Sequence, residues 1–282
     1  MTVINTNIGA TIARNAIGTN ERAMATSMER LSTGLRINSA KDDAAGLAIS
    51  TRMTSQVSTL NMGVRNANDA ISMIQTADGA MIEQSNMLQR MRELAVQASS
   101  DTVTLDQKSF LNNEFQALKT EIDRIGANTS WNGGKLLDGT GGLAGGAAKY
   151  KFQVGSSSTT ITADVPNSRT TAGTTPIYTD VSAATIDTAV TADAAIALVD
   201  ASLLAANTAR SKIGSAINQL TYAADNMSNI AMNTAASRSR IEDTDYAQAS
   251  TELARTQIIQ QAATAMLAQA NQSPQSVLAL LK

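Results

Sequence analysis

Between positions 57 and 88 the chain sets out apolar residues in steps of three and four without a slip: Val57, Leu60, Val64, Ala67, Ile71, Ile74, Asp78, Met81, Ser85 and Leu88. Eight of the ten are apolar, and a sustained 3.5-residue period predicts a helix whose seam is covered by another helix. The same character runs from about 47 to 98, which at ~1.5 Å per residue gives a helix of ~75 Å, too long for the interior of a compact globule. Such a helix needs a partner of similar length. The same alternation returns at Ile196, Val199, Leu203, Ala206, Arg210, Ile213, Ile217, Leu220, Ala224, Met227, Ala231 and Thr234. Two long seams far apart in sequence predict an intramolecular bundle in which the chain goes out and comes back, with both termini at one end.

The terminal segments are patterned more weakly. Ile4, Ile8 and Ile12, then Met24, Met28, Leu31 and Leu35, predict a helix over 1–37. Gly9 and Gly18 each cost ~1 kcal/mol in a helix interior, and Arg14 is the only charge before Glu21, so this segment is a poor helix by itself. A break follows over 35–43, where Ser39 and Asp42 have capping-box spacing for the next helix. Ser99, Ser100 and Asp101 end that helix. Thr104 with Gln107 is a second capping box, followed by a seam of Phe110 or Leu111, Phe115, Leu118, Ile122 and Ile125, with Gly126 as the expected stop.

The middle of the chain changes character. Seven of the fourteen residues over 133–146 are glycine, a loop composition. Tyr150, Phe152 and Val154 alternate, as do Ile161, Ala163 and Val165, which predicts a β-hairpin and is the one clear β signal. Residues 159–191 hold eleven threonines and two of the three prolines, and are expected to be exposed and variable. The second long helix starts near Asp193 and loses its seam at SRSRIEDTDYA (237–247). Leu253, Ile259, Ala263, Met266, Val277 and Leu281 then resume it, with no charge between Arg255 and Lys282. Seven Gln and Asn residues make that terminal run far too polar for a membrane span, so burial against protein is expected. The fold class is mainly α: a long antiparallel bundle or coiled coil from the N- and C-terminal segments, with a small β-hairpin region in the middle of the chain.

Composition narrows the chemistry. The 282 residues contain no Cys and no His, which removes disulfides, thiol nucleophiles, imidazole bases and the usual zinc ligands. Aromatics are 3%, so burial rests on Ala, Leu, Ile and Met, which suits narrow helix seams. The net charge of -2 supplies no basic field for nucleic acid or acidic membrane. The N-terminus lacks the basic flank and apolar run of a cleavable signal. Asp42, Asp43, Asp243 and Asp245 look like metal ligands, but without a DxDxDG-type loop they read as caps and surface charges. No catalytic residue, metal site or cofactor is expected.

Four stretches carry a close resemblance to bacterial flagellin. LSTGLRINSAKDDAAGLAIS (31–50) resembles the family's N-terminal signature, and LQRMRELAVQA (88–98) its central-helix motif. SRSRIEDTDYA and QANQSPQSVLALLK (269–282) resemble its C-terminal signatures. The resemblance covers roughly 1–135 and 195–282. It implies a structural subunit of the hollow helical filament used for swimming, in an extracellular location. Terminal helices over 1–45 and 237–282 would form an inner tube, and residues 46–165 with 192–236 an outer helical bundle carrying the hairpin. Residues 166–191 would be a Thr-rich surface loop or rudimentary outer domain, whose threonines read as an unmodified solvated loop rather than as glycan sites.

The resemblance also implies partners. These are other copies of the chain in a homopolymer, an export chaperone, filament cap and hook-associated proteins, and the vertebrate flagellin-sensing Toll-like receptor, with neither nucleic acid nor membrane insertion. Export would be through the flagellar type III channel in an unfolded state, with assembly at the distal tip. The polymer contacts expected are Ile4, Ile8, Ile12, Met24, Met28, Leu31, Leu35, Leu253, Ile259, Met266, Val277 and Leu281. Gln89, Arg90, Leu94 and Glu114 match the family's receptor-contacting positions, against the plain reading of Arg90 and Glu114 as an ion pair between helices. The alternatives are a hook-filament junction protein of the same axial family and an enzymatic flagellin with an inserted peptidase; the absence of His and the lack of room argue against the second.

Overall fold

The computed structural model describes residues 6–139, 149–155, 159–170 and 177–279, with side chains described except at 179–180 and 273–279. It is mainly helical: α1 (Ile8–Thr33), α2 (Ala44–Ser99), α3 (Leu105–Asn128), α4 (Ala189–Glu242) and α5 (Tyr246–Ala279). Between α3 and α4 come β1 (Ser130–Trp131), β2 (Gly134–Lys135), β3 (Lys149–Gln153), β4 (Thr160–Asp164) and a 3-10 turn over Thr179–Ala183. The chain forms two compact units, Met1–Val57 with Met232–Lys282, and Ser58–Ala231.

In the Ser58–Ala231 unit, α2 and α4 run antiparallel. Gly63 faces Met227, Asp78 faces Arg210, and Arg92 faces Asp200. From Ile213 onward the buried residues of α4 include Leu220, Ala224, Met227 and Ala231, as the seam predicts. Toward its start the buried set becomes Val199, Ser202, Ala206 and Ala209, a shift of one position at two steps. On α2 the buried stripe is broader than a coiled-coil seam, taking in Ala70, Met73, Ile74, Ala77, Met81, Gln84, Ser85 and Leu88. The helix is covered from more than one side, by α4 and by α3 and the hairpins, so the stripe widens as in a globular bundle. The two charged residues that interrupt the seams, Asp78 and Arg210, meet each other at 2.8 Å.

The predicted hairpin is present. β3 pairs antiparallel with β4, Tyr150 opposite Ala163 and Phe152 opposite Ile161. Tyr150, Val154, Ala163 and Val165 face the core of α2 and α4. A second, two-residue hairpin joins β1 to β2 through Asn132 and Gly133, at φ 46° and 79°. Asn-Gly between strands is the sequence signal for such a turn, and the alternation around it is too short to register.

Three boundaries differ from expectation. The capping box Thr104–Gln107 forms in both directions, but Ser39 and Asp42 do not open α2. Asp42 accepts hydrogen bonds from the Asn38 and Ser39 amides in the preceding turn, while Asp43 takes the Gly46 amide at 2.8 Å and caps the helix. Gly126 does not stop α3, which continues to Asn128. It is buried, and a Cβ there would lie 3.1 Å from the Ser168 carbonyl oxygen, so glycine marks a close approach of backbone. Leu35 falls outside α1, which ends at Gly34 with φ 75°, and bridges to Asp243 instead.

The Thr-rich segment is not a solvated loop in its described parts. Asn167, Ser168, Thr170, Tyr178, Val181 and Ile186 are each at most 2% exposed. The reason lies in Gln84, fully buried on α2, whose Nε2 donates to the Ile122 carbonyl (3.0 Å) and the Ser168 carbonyl (3.3 Å). Tyr178 donates its hydroxyl to Gln84 Oε1 at 3.5 Å. One amide thereby ties α2, α3 and the segment together, and Tyr178 fills the space beside it. Asp123 anchors the segment too, accepting from Arg169 Nη2 and the Thr170 amide, both at 3.2 Å. Burial raises its carboxyl, but these hydrogen bonds outweigh that and hold it below the usual carboxylate range. Stability from a depressed carboxyl is complete above its unfolded value near 4 and is lost as pH falls through the folded value. Asp123→Asn is therefore expected to lower stability by about 1 kcal/mol at neutral pH and to flatten the decline of melting temperature below about pH 4. An unchanged acid slope in calorimetry would remove Asp123 from that role.

Candidate functional site

Two surfaces carry the residues singled out by the sequence. The first is the pair of terminal helices in the Met1–Val57 with Met232–Lys282 unit. α1 begins at Asn7, whose side chain caps it by accepting the Ala10 amide at 3.0 Å and donates to the Ala270 carbonyl at 2.8 Å. Its inward positions are Ala10, Ala13, Ile17, Asn20, Met24, Ser27 and Leu31, again in steps of three and four. The most buried of these are polar, Asn20 and Ser27. Asn20 donates to the Thr256 carbonyl (2.8 Å) and Gln260 Oε1 (3.1 Å) on α5, and Gln260 donates to Glu21 at 3.2 Å. Amide and hydroxyl groups thus fix the register of the pair, which small residues alone would leave free to slide.

This register turns Ile17, Met24 and Leu31 inward but leaves a second set of large apolar side chains outward. Ile8, Ile12 and Met28 on α1 are exposed, Ile12 by 64%, as are Ile258, Ile259 and Met266 on α5. Of the expected polymer contacts, Ile8, Ile12, Met28, Ile259 and Met266 stand outside, whereas Met24, Leu31, Leu35 and Leu253 are half-buried within the unit. Ile4 and Leu281, and the side chain of Val277, lie outside the described residues. Sequence spacing missed that two stripes exist on α1, one inward and one outward, because isoleucines at 8 and 12 fit a four-residue step as well as a seam residue does.

Close by, the chain turns between α1 and α2. Arg36 N donates to the Glu242 carbonyl at 2.6 Å and the Thr244 amide to the Gly34 carbonyl at 2.9 Å, while Ile37 is buried. Asp245 caps α5 through the amides of Ala247 (2.9 Å) and Gln248 (3.3 Å), and Asp243 accepts the Ser239 hydroxyl. The aspartates here are occupied with backbone and hydroxyl donors.

The second surface lies on α2 and α3 in the other unit. Arg90 pairs with Glu114 at 2.9 Å and Glu93 at 3.1 Å, Arg90 and Glu114 about half exposed and Glu93 about two-thirds. Both carboxylates push the guanidinium upward from its ordinary value, Glu114 most strongly. Gln89 is exposed beside them. Leu94 does not join the group. It is 1% exposed, in the core with Leu88, Met91, Phe115 and Val199, because it sits at the buried i+3 step from Met91. The surface is therefore Gln89, Arg90 and Glu114, with Leu94 supporting it from beneath.

The chain matches the model of the bacterial flagellin N-terminal helical region over residues 4–141 and that of the C-terminal helical region over 196–281. It is similar to a flagellin of Halalkalibacterium halodurans, 43% identical over 280 residues, covering 99% of this chain and 100% of that one. It is also similar to a flagellin of Bacillus subtilis, 39% identical over 305 residues and covering 99% of both. Among solved structures, the crystal structure of Bacillus cereus flagellin has a TM-score of 0.50 and 30% identity, covering 58% of this chain and 88% of that one.

Proposed function

From the premise that this chain belongs to the bacterial flagellin family, a family of structural filament subunits, we propose that it polymerises through the outward apolar residues of its terminal helices. It leaves the cell unfolded through the flagellar type III channel, escorted by an export chaperone, and adds at the distal tip beneath the cap on a filament rooted in hook-associated proteins. The observation that carries the reading is the α1 and α5 pair: its own seam is closed by Asn20, Ser27 and Thr256, while Ile8, Ile12, Met28, Ile258, Ile259 and Met266 remain exposed. A stripe of that kind on a monomer calls for a protein cover, and in a homopolymer the neighbouring copies supply it.

The domain assignment follows the same reading. Residues 1–45 with 237–282 are assigned to the inner tube, 46–165 with 192–236 to the outer one, and 166–191 to a rudimentary outer domain. Purified monomer seeded with short filament fragments is expected to elongate into hollow tubes visible by electron microscopy, and a chain lacking residues 253–282 is expected not to. Elongation by the truncated chain would move assembly away from the terminal helix.

Gln89, Arg90 and Glu114 are proposed as the contact with the host flagellin-sensing Toll-like receptor. An Arg held by two carboxylates is presented in a fixed pose, as suits an interface anchor. Arg90→Ala is expected to raise the half-maximal dose of monomer in receptor reporter cells at least about tenfold, the size of a strong anchor residue. An unchanged dose curve would exclude Arg90 from the contact.

A further inference from the structure

Near the C-terminal end of α1 is a cavity of about 300 Å³ whose lining includes Arg30, Arg36, Thr244, Asp245 and Glu252. Arg30 Nε and Thr244 Oγ1 are both buried without a hydrogen-bond partner, two of the three such side-chain atoms among the described residues. Native proteins satisfy nearly all buried polar groups, so two orphans at one cavity point to a group that completes them. The charges point the same way. Asp245 is engaged as the cap of α5, and Glu252 pairs with Arg255 at 3.3 Å. Neither Arg30 nor Arg36 meets a carboxylate in any ion pair among the described residues, and Arg36 donates only to the Ile241 carbonyl and, through its amide, to Glu242.

We propose that this cavity is an oxyanion site that takes one carboxylate or phosphate group. Arg30 supplies the forked donors, Thr244 the hydroxyl, and Arg36 a second positive charge. The oxyanion comes from solution or from an acidic side chain of a second copy, and the second source rests on the filament reading.

The test uses the full chain in two arms. In the first, phosphate is titrated into monomer at pH 7 and constant ionic strength while arginine Nε–H signals are followed by NMR. A saturable shift that disappears in Arg30→Gln identifies a site for a free anion. In the second arm, Arg30→Gln and Thr244→Val are elongated on wild-type seeds beside Arg14→Gln, an exposed arginine elsewhere on α1. A slowing of about tenfold in the first two and none in the third, without a phosphate response, identifies a neighbour's carboxylate. Circular dichroism checks that each variant is folded, and Thr244→Val carries the test if Arg30→Gln is not. No phosphate response together with wild-type elongation by both variants overturns the proposal. If wild-type chain itself fails to elongate, the filament reading falls, and the phosphate arm alone decides the site.

Discussion

Changing Ile12 and Met266 together to glutamate is expected to stop seeded elongation while leaving the monomer folded. Both side chains are about two-thirds exposed, so the substitutions meet solvent in the monomer and should change its stability by no more than ~0.5 kcal/mol. In a polymer that covers them, each loses ~1.5–3 kcal/mol of apolar burial and adds the cost of a desolvated charge. Burial alone, ~3–6 kcal/mol for the pair, corresponds to a rise of ~10²–10⁴-fold in the concentration needed for growth. The measurement is the monomer concentration left in equilibrium with filaments after sedimentation. A value equal to that of the unaltered chain would show that the outward stripe is not the polymer contact, whatever else assembles the filament.

Phe115→Ala should have the largest effect on the fold. The ring is fully buried on α3 against the cluster of Leu88, Met91, Leu94 and Val199. Removing it leaves a cavity in a close-packed bundle and costs ~3–5 kcal/mol. For a cooperative unit of this size each kcal/mol moves the melting temperature by about 2–4 °C, so a fall of about 6–20 °C is expected by calorimetry. Phe110 provides the contrast. It lies on the same helix but is 72% exposed, and Phe110→Ala should move the transition by no more than a degree or two, consistent with ~0.5 kcal/mol. If the two variants melted alike, α3 would be packed on a different face from the one described.

That contrast also shows how far local pattern reaches. The spacing of α3 leaves Phe110 and Leu111 as alternatives for one seam position, and only packing selects Leu111, which lies against the buried cluster. The β3–β4 hairpin, the Thr104 capping box and the antiparallel pairing of α2 with α4 were legible, since each is written within a few residues or in a repeated step. Of the candidate surfaces, the exposed positions of Gln89, Arg90 and Glu114 and the outward isoleucines of α1 could be named from family likeness. The pairing of Arg90 with Glu114 was legible too and is present at 2.9 Å, whereas the additional partner Glu93 and the Asn20 contacts to α5 were not.

What the sequence determined by itself was therefore the set of helices, most of their boundaries, the hairpin and the family. Hydrophobic period, capping residues and turn residues act over one or two turns and are visible in one dimension. What only the tertiary structure decided was which partner each odd residue meets. Asp78 and Arg210 interrupt two separate seams and neutralise each other 132 positions apart. Gln84 looks like a polar defect in α2 until three elements close around its amide. Threonine-rich composition reads as surface, yet Thr170 is buried with its amide and hydroxyl donating to Asp123, and the Ser168 carbonyl accepts from Gln84, both partners supplied by other helices. Arg90 and Leu94 lie one turn apart on neighbouring parts of one helix face, and only the elements packed against that face decide that Leu94 is buried and Arg90 exposed. Burial of a polar group depends on donors and acceptors brought in from distant parts of the chain, and no local pattern encodes where those will be.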